Sequence, residues 1–368
     1  MKKIILFIDN LGSGGAQRQV ANIAVLLKRA GYDVSVLVYQ DFPFYKPVLD
    51  EENVPVVLVE AGNYLSRMLK VRKYLNHSGE HTVVAFLETP CFIACFSKMG
   101  HKKWNLVTTE RSAKKSTFTS RRNKIFNKFE RFSDAKVGNS HNAIEMWKKY
   151  YPQYNDKYSV IYNHVCVADE FVNKEHDYLS DGRIKLCVAA SYQELKNPLR
   201  VIEAVNLLSD EQKARLEINW YGKQEVTTGN TEVYDKAVSM IKEYGLEDCV
   251  HLNDETNDVY RIMSESDAVG LFSTVEGLPN TICEAMTIGK PVVMSKVSDY
   301  DVLVTDNGYL CDPESVGSIK EALVKLIETP KEELERMGMA SKVMAQNLFS
   351  GDAITKQWIE IIEKFSRK

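Results

Sequence analysis

Glu276 and Glu284 stand eight positions apart in the stretch VEGLPNTICEAMTIGKPVV, with a Gly-Leu-Pro turn between them. The apolar run AVGLFS ahead of them reads as a buried strand, and TVEGLP as the turn leaving its carboxyl end. Residues 280–288 read as a helix and PVVMS as the next strand. Pro279 suits a first helical position, where its missing N–H costs nothing, and Gly289 suits the helix stop. Only Glu284 then lies on the helix, while Glu276 stays in the loop. In an open α/β sheet, ligands bind outside the carboxyl ends of the strands. A helix start there offers N–H groups and partial positive charge to a phosphate or a sugar hydroxyl. Two carboxylates reaching different hydroxyl pairs of one molecule suit a nucleotide that carries a sugar. The competing reading is two solvated surface charges; the turn and helix start between them favour the site.

These residues need a scaffold, and the chain supplies one by alternation. IILFI (4–8) precedes AQRQVANIAVLLKRAG, a helix with Val20, Ile23, Ala24 and Leu27 on one face and Gly31 as its stop. VSVLVY, VPVVLV, TVVAFL, NLVTT, DAKVGN and YSVIYN read as further strands. From Lys185 the pattern restarts: IKLCVAA, helix 197–208, LEINWYG, helix 231–244, VHLND, helix 257–264, then the glutamate region. Strands alternating with helices predict parallel, doubly wound sheets. Two Rossmann-like domains are expected, at 1–165 and 183–350, joined by the polar, aperiodic stretch 166–182. The tail 351–368 reads as an amphipathic helix with Ile354, Trp358, Ile361, Ile362 and Phe365 on one face and Asp352 as cap.

At 368 residues, 44% apolar and 26% charged, the chain is long enough for two cores. A net charge of −3 gives no general case for nucleic acid as a partner. The cysteines at 91, 95, 166, 187, 249, 283 and 311 form no CxxC pair and no zinc spacing, and read as buried thiols of a reducing, cytoplasmic protein. The five-residue apolar run after MKK stops at Asp9 and reads as a strand, not a signal peptide.

FSTVEGLPNTICEAMTIGKPVVMS resembles the E-x7-E signature of the retaining glycosyltransferases of family 4, the glycosyl transferases group 1. Other pieces follow in that family's order over nearly the whole chain: LGSGGAQRQVANIA like its Gly-Gly loop, NSHNAIEMW, VIYNHV, LKNPLRVIEA like its Lys-Asn phosphate element, and FSGDAITKQWIEII like its last helix. The resemblance implies the GT-B architecture: α/β, two Rossmann-like doubly wound parallel-sheet domains facing across a cleft, with the last helix returning to the first. It implies that Glu284 takes the ribose hydroxyls of the nucleotide and Glu276 the hydroxyls of the transferred sugar. The backbone of Gly277, Leu278, Pro279, Asn280 and Thr281 would support sugar and diphosphate, and Lys196 would lie on the diphosphate. Gly14 and Gly15 would let the first-domain backbone approach the donor. A lysine and a helix end doing the work of a divalent ion imply no metal and no cofactor.

The chain departs from the family pattern at three places. Ser191 stands where the family usually has an Arg, five residues before the Lys; either Tyr192 or a neighbouring residue compensates, or the diphosphate is held with one charge fewer. Gln17, beside Arg18, replaces the usual Glu after the Gly-Gly loop and cannot act as a base. NLVTT ends in Glu110, Arg111 and Ser112 instead of a His, a Glu-Arg pair similar to that of members that build surface polysaccharides or lipid-linked oligosaccharides. Arg111 is the expected acceptor or phosphate contact; a structural ion pair is the other reading of the two.

The stretch 113–132 has seven Lys/Arg against one acid, with Phe118, Arg122, Ile125, Phe126, Phe129 and Phe132 at three-to-four spacing. It reads as a basic amphipathic helix for an anionic membrane surface, or as a helix packed on its own domain with a solvated basic face. LGSGGAQRQ lacks the third glycine of a dinucleotide fingerprint, and Asp41 lies 29 residues from Gly12. Asp299 and Asp301 form a D-x-D too short to carry a metal site alone, and His164 reads as structural. The expected function is transfer of a sugar from a nucleotide donor, UDP by family frequency, to a glycan or lipid-linked acceptor, at the cytoplasmic face. A GT-B-fold sugar-nucleotide epimerase and a non-catalytic nucleotide- or glycan-binding relative stand as alternatives.

Overall fold

Strands covered by helices on both faces must be apolar throughout, which is why the buried runs of this sequence are continuous, not alternating. The computed structural model describes residues 2–100, 103–112, 115–225 and 229–364. It divides into one unit of Met1–His164 with Gly351–Lys368 and a second of Val165–Ser350.

The first unit is a seven-stranded sheet of β1 (Lys3–Phe7), β2 (Asp33–Val38), β3 (Val56–Leu58), β4 (Thr82–Ala85), β5 (Asn105–Glu110), β6 (Ala135–Gly138) and β7 (Tyr158–Val160). Its order is β3-β2-β1-β4-β5-β6-β7, and every pairing is parallel. The chain works outward from β1 to β3, then returns to β4 on the other side of β1, so the topological switch point lies between β1 and β4. The helix Gly15–Arg29 buries Val20, Ile23, Ala24 and Leu27 as its periodicity requires, and Gly31 follows it at φ +89°. The C-terminal helix Gly351–Lys364 belongs to this unit: Ile354, Trp358 and Ile362 are buried, and Glu363 takes hydrogen bonds from Tyr32 (3.0 Å) and Lys2 (3.2 Å). Phe365 lies outside the described residues.

The second unit holds β8 (Ile184–Ala189), β9 (Leu216–Tyr221), β10 (Val250–Asn253), β11 (Ala268–Leu271), β12 (Val292–Ser295) and β13 (Gly308–Cys311). The order β10-β9-β8-β11-β12-β13, again parallel, puts its switch point between β8 and β11. β13 and the helices Val316–Glu328 and Lys331–Phe349 extend the unit past the last strand read from sequence.

Two segments behave differently from their sequence reading. The stretch 166–182, read as a linker, is docked on the second unit: His176 Nε2 meets Asp267 Oδ1 at 2.8 Å and Tyr178 is buried in the core. Asp267 also accepts from the backbone N–H of Leu179 and Lys185, and Lys174 and Asp177 pair with Glu265 and Lys331. The stretch 113–132, whose Ala113 and Lys114 lie outside the described residues, is not one helix. It breaks into Ser116–Thr119, Arg121–Lys128 and the 3-10 turn Phe129–Phe132, with Ser120 capping the second piece through Asn123 N–H. Its phenylalanines face inward: Phe118 is buried edge-on to Trp147, and Phe126 stacks on Phe92 at 4.0 Å.

Candidate active site

β8 and β11, neighbours at the switch point, each release a loop from their carboxyl ends, and the two loops meet. After β8 the chain makes the short turn Glu194–Lys196 and enters Asn197 at φ +68°, the left-handed region that asparagine tolerates better than most residues. Asn197 is buried, its amide donating to the Pro313 carbonyl at 2.8 Å and its oxygen accepting from Arg200 at 3.0 Å. The helix Pro198–Asn206 starts there, so Lys196 is aimed by a fixed turn.

After β11 the loop carries Glu276. Lys196 Nζ lies 2.5 Å from Glu276 Oε1, which also accepts from Ser273 Oγ at 2.7 Å. Behind them, buried Ser295 donates to the Ser273 carbonyl at 2.6 Å, and Thr274 N–H donates to the Leu195 carbonyl at 2.8 Å, joining the two loops. Ser298, at φ +54°, donates its hydroxyl to the Gly277 carbonyl. The Lys196 and Ser273 contacts of Glu276 both fall on Oε1, so one carboxylate oxygen is held while Oε2 has no hydrogen-bond partner among the described residues.

The helix Asn280–Ile288 begins one residue later than Pro279, which caps it: Ile282 and Cys283 donate to the Pro279 carbonyl. Pro279 lacks an N–H, so the backbone donors of this loop are its neighbours. Leu278 is buried and offers a ligand only its main chain. Thr281 donates its hydroxyl to the Ala189 carbonyl at 3.3 Å, tying the helix start to β8. Glu284 is 9% exposed and accepts from Tyr260 OH at 3.3 Å.

Tyr192 does not stand in for the arginine missing at Ser191. Its ring is fully buried, and its hydroxyl lies 3.0 Å from the Trp220 carbonyl and 2.8 Å from that of Asn253. The main chain of Tyr192 leads to Lys223. Its carbonyl accepts from Tyr192 N–H at 3.0 Å, and its side chain is exposed. Gly222 before it is required by close approach, since a Cβ there would lie 2.0 Å from the Ala190 oxygen.

In the first unit, Gly14 caps the helix Gly15–Arg29 at φ −79°, so its backbone needs no glycine. A Cβ there would instead meet Gln17 Oε1 at 2.2 Å, because Gln17 folds back to donate to Asp9 Oδ1 (3.1 Å). Gly15 faces open space. Glu110 accepts from Arg111 N–H, Ser112 N–H and the Ser112 hydroxyl at Oε1, and from Trp147 Nε1 at Oε2 (2.9 Å). Its oxygens serve the fold, and no ion pair with the Arg111 side chain forms. Arg111 lies over the Phe86 ring at 4.9 Å, with Nη1 on Asn163 Oδ1 (3.0 Å) and with Nε and Nη2 buried and unpartnered among the described residues. Burial pushes its guanidinium down to about 10. Gln19 holds the main chain of His164 through both ends of its amide. Asp299 is buried and Asp301 exposed, and among the described residues no three His, Cys, Asp or Glu side chains gather into a metal-holding group.

The Glycosyltransferase Family 4 model matches residues 13–168 and the Glycosyl transferases group 1 model residues 171–344. The N-acetylgalactosamine-N,N'-diacetylbacillosaminyl-diphospho-undecaprenol 4-alpha-N-acetylgalactosaminyltransferase of Campylobacter jejuni is 24% identical, over 90% of this chain and 92% of its own. An uncharacterized glycosyltransferase of Haemophilus influenzae is 25% identical over 98% of this chain and 100% of its own. Among solved structures, Anabaena HepE in complex with UDP superposes with a TM-score of 0.82 at 18% identity, over 99% of this chain and all of its own. Taken with two parallel-sheet units, each with its own switch point, these matches show that the chain is a GT-B-fold glycosyltransferase and belongs to the glycosyl transferases group 1.

Proposed function

We propose that this enzyme moves a sugar from a UDP-sugar to a hydroxyl of a glycan or lipid-linked acceptor in surface polysaccharide synthesis, with retention of configuration and without a metal. The observation that carries the reading is the Lys196–Glu276 pair beside the start of the helix Asn280–Ile288. A donor entering this place exchanges partners: the Lys196 ammonium passes to the diphosphate, and Glu276 turns its free oxygen to the sugar hydroxyls. The bond from the anomeric carbon to the diphosphate oxygen breaks, and its electron pair leaves with the diphosphate. Lys196 and the helix start stabilise that charge. The acceptor oxygen bonds the anomeric carbon on the same face and gives its proton to the departing diphosphate. Lys223 supplies the second positive charge that Ser191 does not. Glu284 and Tyr260 hold the ribose, and Arg111 meets the acceptor. UDP in the HepE structure and the undecaprenol-linked substrate named for the Campylobacter relative support this choice of donor and acceptor. A lipid-linked acceptor places the enzyme at the cytoplasmic face of a membrane.

Thermal shift with UDP, GDP, ADP and NAD, each with EDTA and with magnesium, tests the donor half. A ligand at about a hundred times its Kd stabilises by roughly 2.7 kcal/mol. The UDP shift is expected to survive EDTA; a shift confined to magnesium would overturn the metal-free mechanism, and one with NAD alone the transferase reading. Lys223→Ala is expected to weaken UDP while leaving uridine unchanged, and equal losses for both would remove Lys223 from the diphosphate. The anomeric coupling constant of the product reads retention directly.

A further inference from the structure

One surface of the first unit takes no part in the transfer chemistry. The helices Tyr64–His77 and Arg121–Lys128 contain no Asp or Glu, in a chain whose acids outnumber its Lys and Arg by 50 to 47. Both pack against the same helix, Glu88–Lys98, and so lie on one side of the first unit. The helix Tyr64–His77 buries Met68, Val71 and Leu75 on its inner side, which completes its share of the core. Leu65 and Leu69 are left over, 64% and 52% exposed, with Tyr64 at 40% and Ile125 of the other helix at 58%. Lys70 and Lys73 stand beside the leucines, and Lys124 and Lys128 are exposed on the helix that carries Ile125. The depression beside the two leucines, about 410 Å³ and lined by Asn63, Leu65, Ser66, Leu69, Lys70 and Lys73, draws on a single helix and its cap.

We propose that this two-helix face is where the protein rests on an anionic lipid surface. Leu65, Leu69, Ile125 and Tyr64 enter the boundary between headgroups and acyl chains, and the lysines meet the lipid phosphates. Leucines beside cations, with no carboxylate on either helix, have the chemistry of an interfacial surface. The site differs from the one that spacing suggested in 113–132. The phenylalanines of that stretch close its own unit, so it contributes cations and Ile125 alone, and the apolar contact comes from the 64–77 helix. The inference rests on the proposed lipid-linked acceptor for its purpose, though not for its geometry.

Co-sedimentation of the full chain with vesicles tests it, using phosphatidylcholine alone and phosphatidylcholine mixed with phosphatidylglycerol. The wild type is expected to bind the anionic vesicles, less at high salt, and the neutral ones weakly. Removal of two lysines costs about 25-fold, about fivefold each, so Lys124→Glu with Lys128→Glu is expected to lose at least that much. Leu65→Ser with Leu69→Ser is expected to lose about tenfold or more. An unchanged UDP thermal shift in both variants shows that they fold and keep the donor site. Wild type that ignores anionic vesicles, binding an acidic protein instead, would overturn the proposal, as would variants that sediment like it. Turnover on a water-soluble acceptor separates the two ideas. Its absence alongside vesicle binding sinks the functional reading alone, and its presence without vesicle binding sinks this one alone.

Discussion

Glu110 ends a parallel strand of the first unit and Glu276 lies in the loop after one of the second, and the fold treats them in opposite ways. Glu110 meets four donors through its two oxygens: two backbone N–H groups, a hydroxyl and an indole. Glu276 meets two, Lys196 and Ser273, and both on Oε1. Four donors match the roughly four lone-pair sites of a carboxylate, so a buried one supplied in this way has little left to offer a substrate. One held by a single oxygen is oriented and still able to bind. The comparison teaches that position at a strand end does not separate a structural carboxylate from a functional one, whereas the filling of its lone pairs does.

The sharpest way to break this contrast is to delete each carboxylate in turn. Glu276→Ala is expected to lower kcat by about 10²–10³, the range for removing one oriented charge-stabilising group, with UDP affinity and Tm little changed. Glu110→Ala is expected to do the reverse. It strands the indole N–H of Trp147, itself 2% exposed, at about 1–3 kcal/mol. That lowers Tm by roughly 2–4 °C per kcal/mol for a unit of this size. Turnover by Glu276→Ala at the wild-type rate would remove Glu276 from the sugar.

Glu284 sharpens the contrast with an intermediate case. It is nearly buried and accepts from Tyr260, yet it sits on the first turns of the helix that opens the site. Glu284→Ala is expected to weaken UDP about tenfold or more, since hydrogen bonds to a charged group contribute about 1.5–3 kcal/mol. Tyr260→Phe, which removes only an orienting contact, is expected to cost a few-fold. Isothermal titration with UDP checks both, and equal affinities in Glu284→Ala and wild type would take Glu284 off the ribose.

Strand and helix order was legible because parallel strands buried on both faces must be apolar runs, and Gly289 marked a stop that the structure makes at φ +88°. Glu276 and Glu284 were marked out by their spacing around a helix start and Lys196 by the family resemblance, and the structure brings Lys196 and Glu276 into contact. What escaped were relations between segments distant in sequence. Ser273, Ser295 and Ser298 form the hydroxyl support of the Glu276 loop, yet a serine has no period and no charge to announce it. Tyr192 was a plausible ligand until its hydroxyl was found on two carbonyls of β9 and β10. The phenylalanines of 113–132 kept helical spacing, but spacing does not say whether an apolar face meets lipid or Phe92 and Trp147.

The same rule of partners extends to the cations. Lys196 has a carboxylate at 2.5 Å, whereas Lys290, just past the far end of the helix Asn280–Ile288, has none. Lys290 is 3% exposed, its Nζ is unpartnered among the described residues, and it lies 5.4 Å from the centre of the Tyr178 ring. Burial pushes it down to about 7. An unfolded lysine titrates near 10.4, so the folded state favours the neutral amine. Above that value both states are neutral. As the pH falls from about 10 toward 7 the unfolded chain binds the proton first, and stability is lost; below 7 both states are protonated and the loss is complete. Lys290→Met removes the group and keeps most of the volume. It is expected to raise Tm by several degrees at pH 6–7 and by little near pH 10, with UDP affinity the same as wild type. A gain that does not shrink as pH rises would mean that packing, not the unpaired charge, separates Lys290 from Lys196.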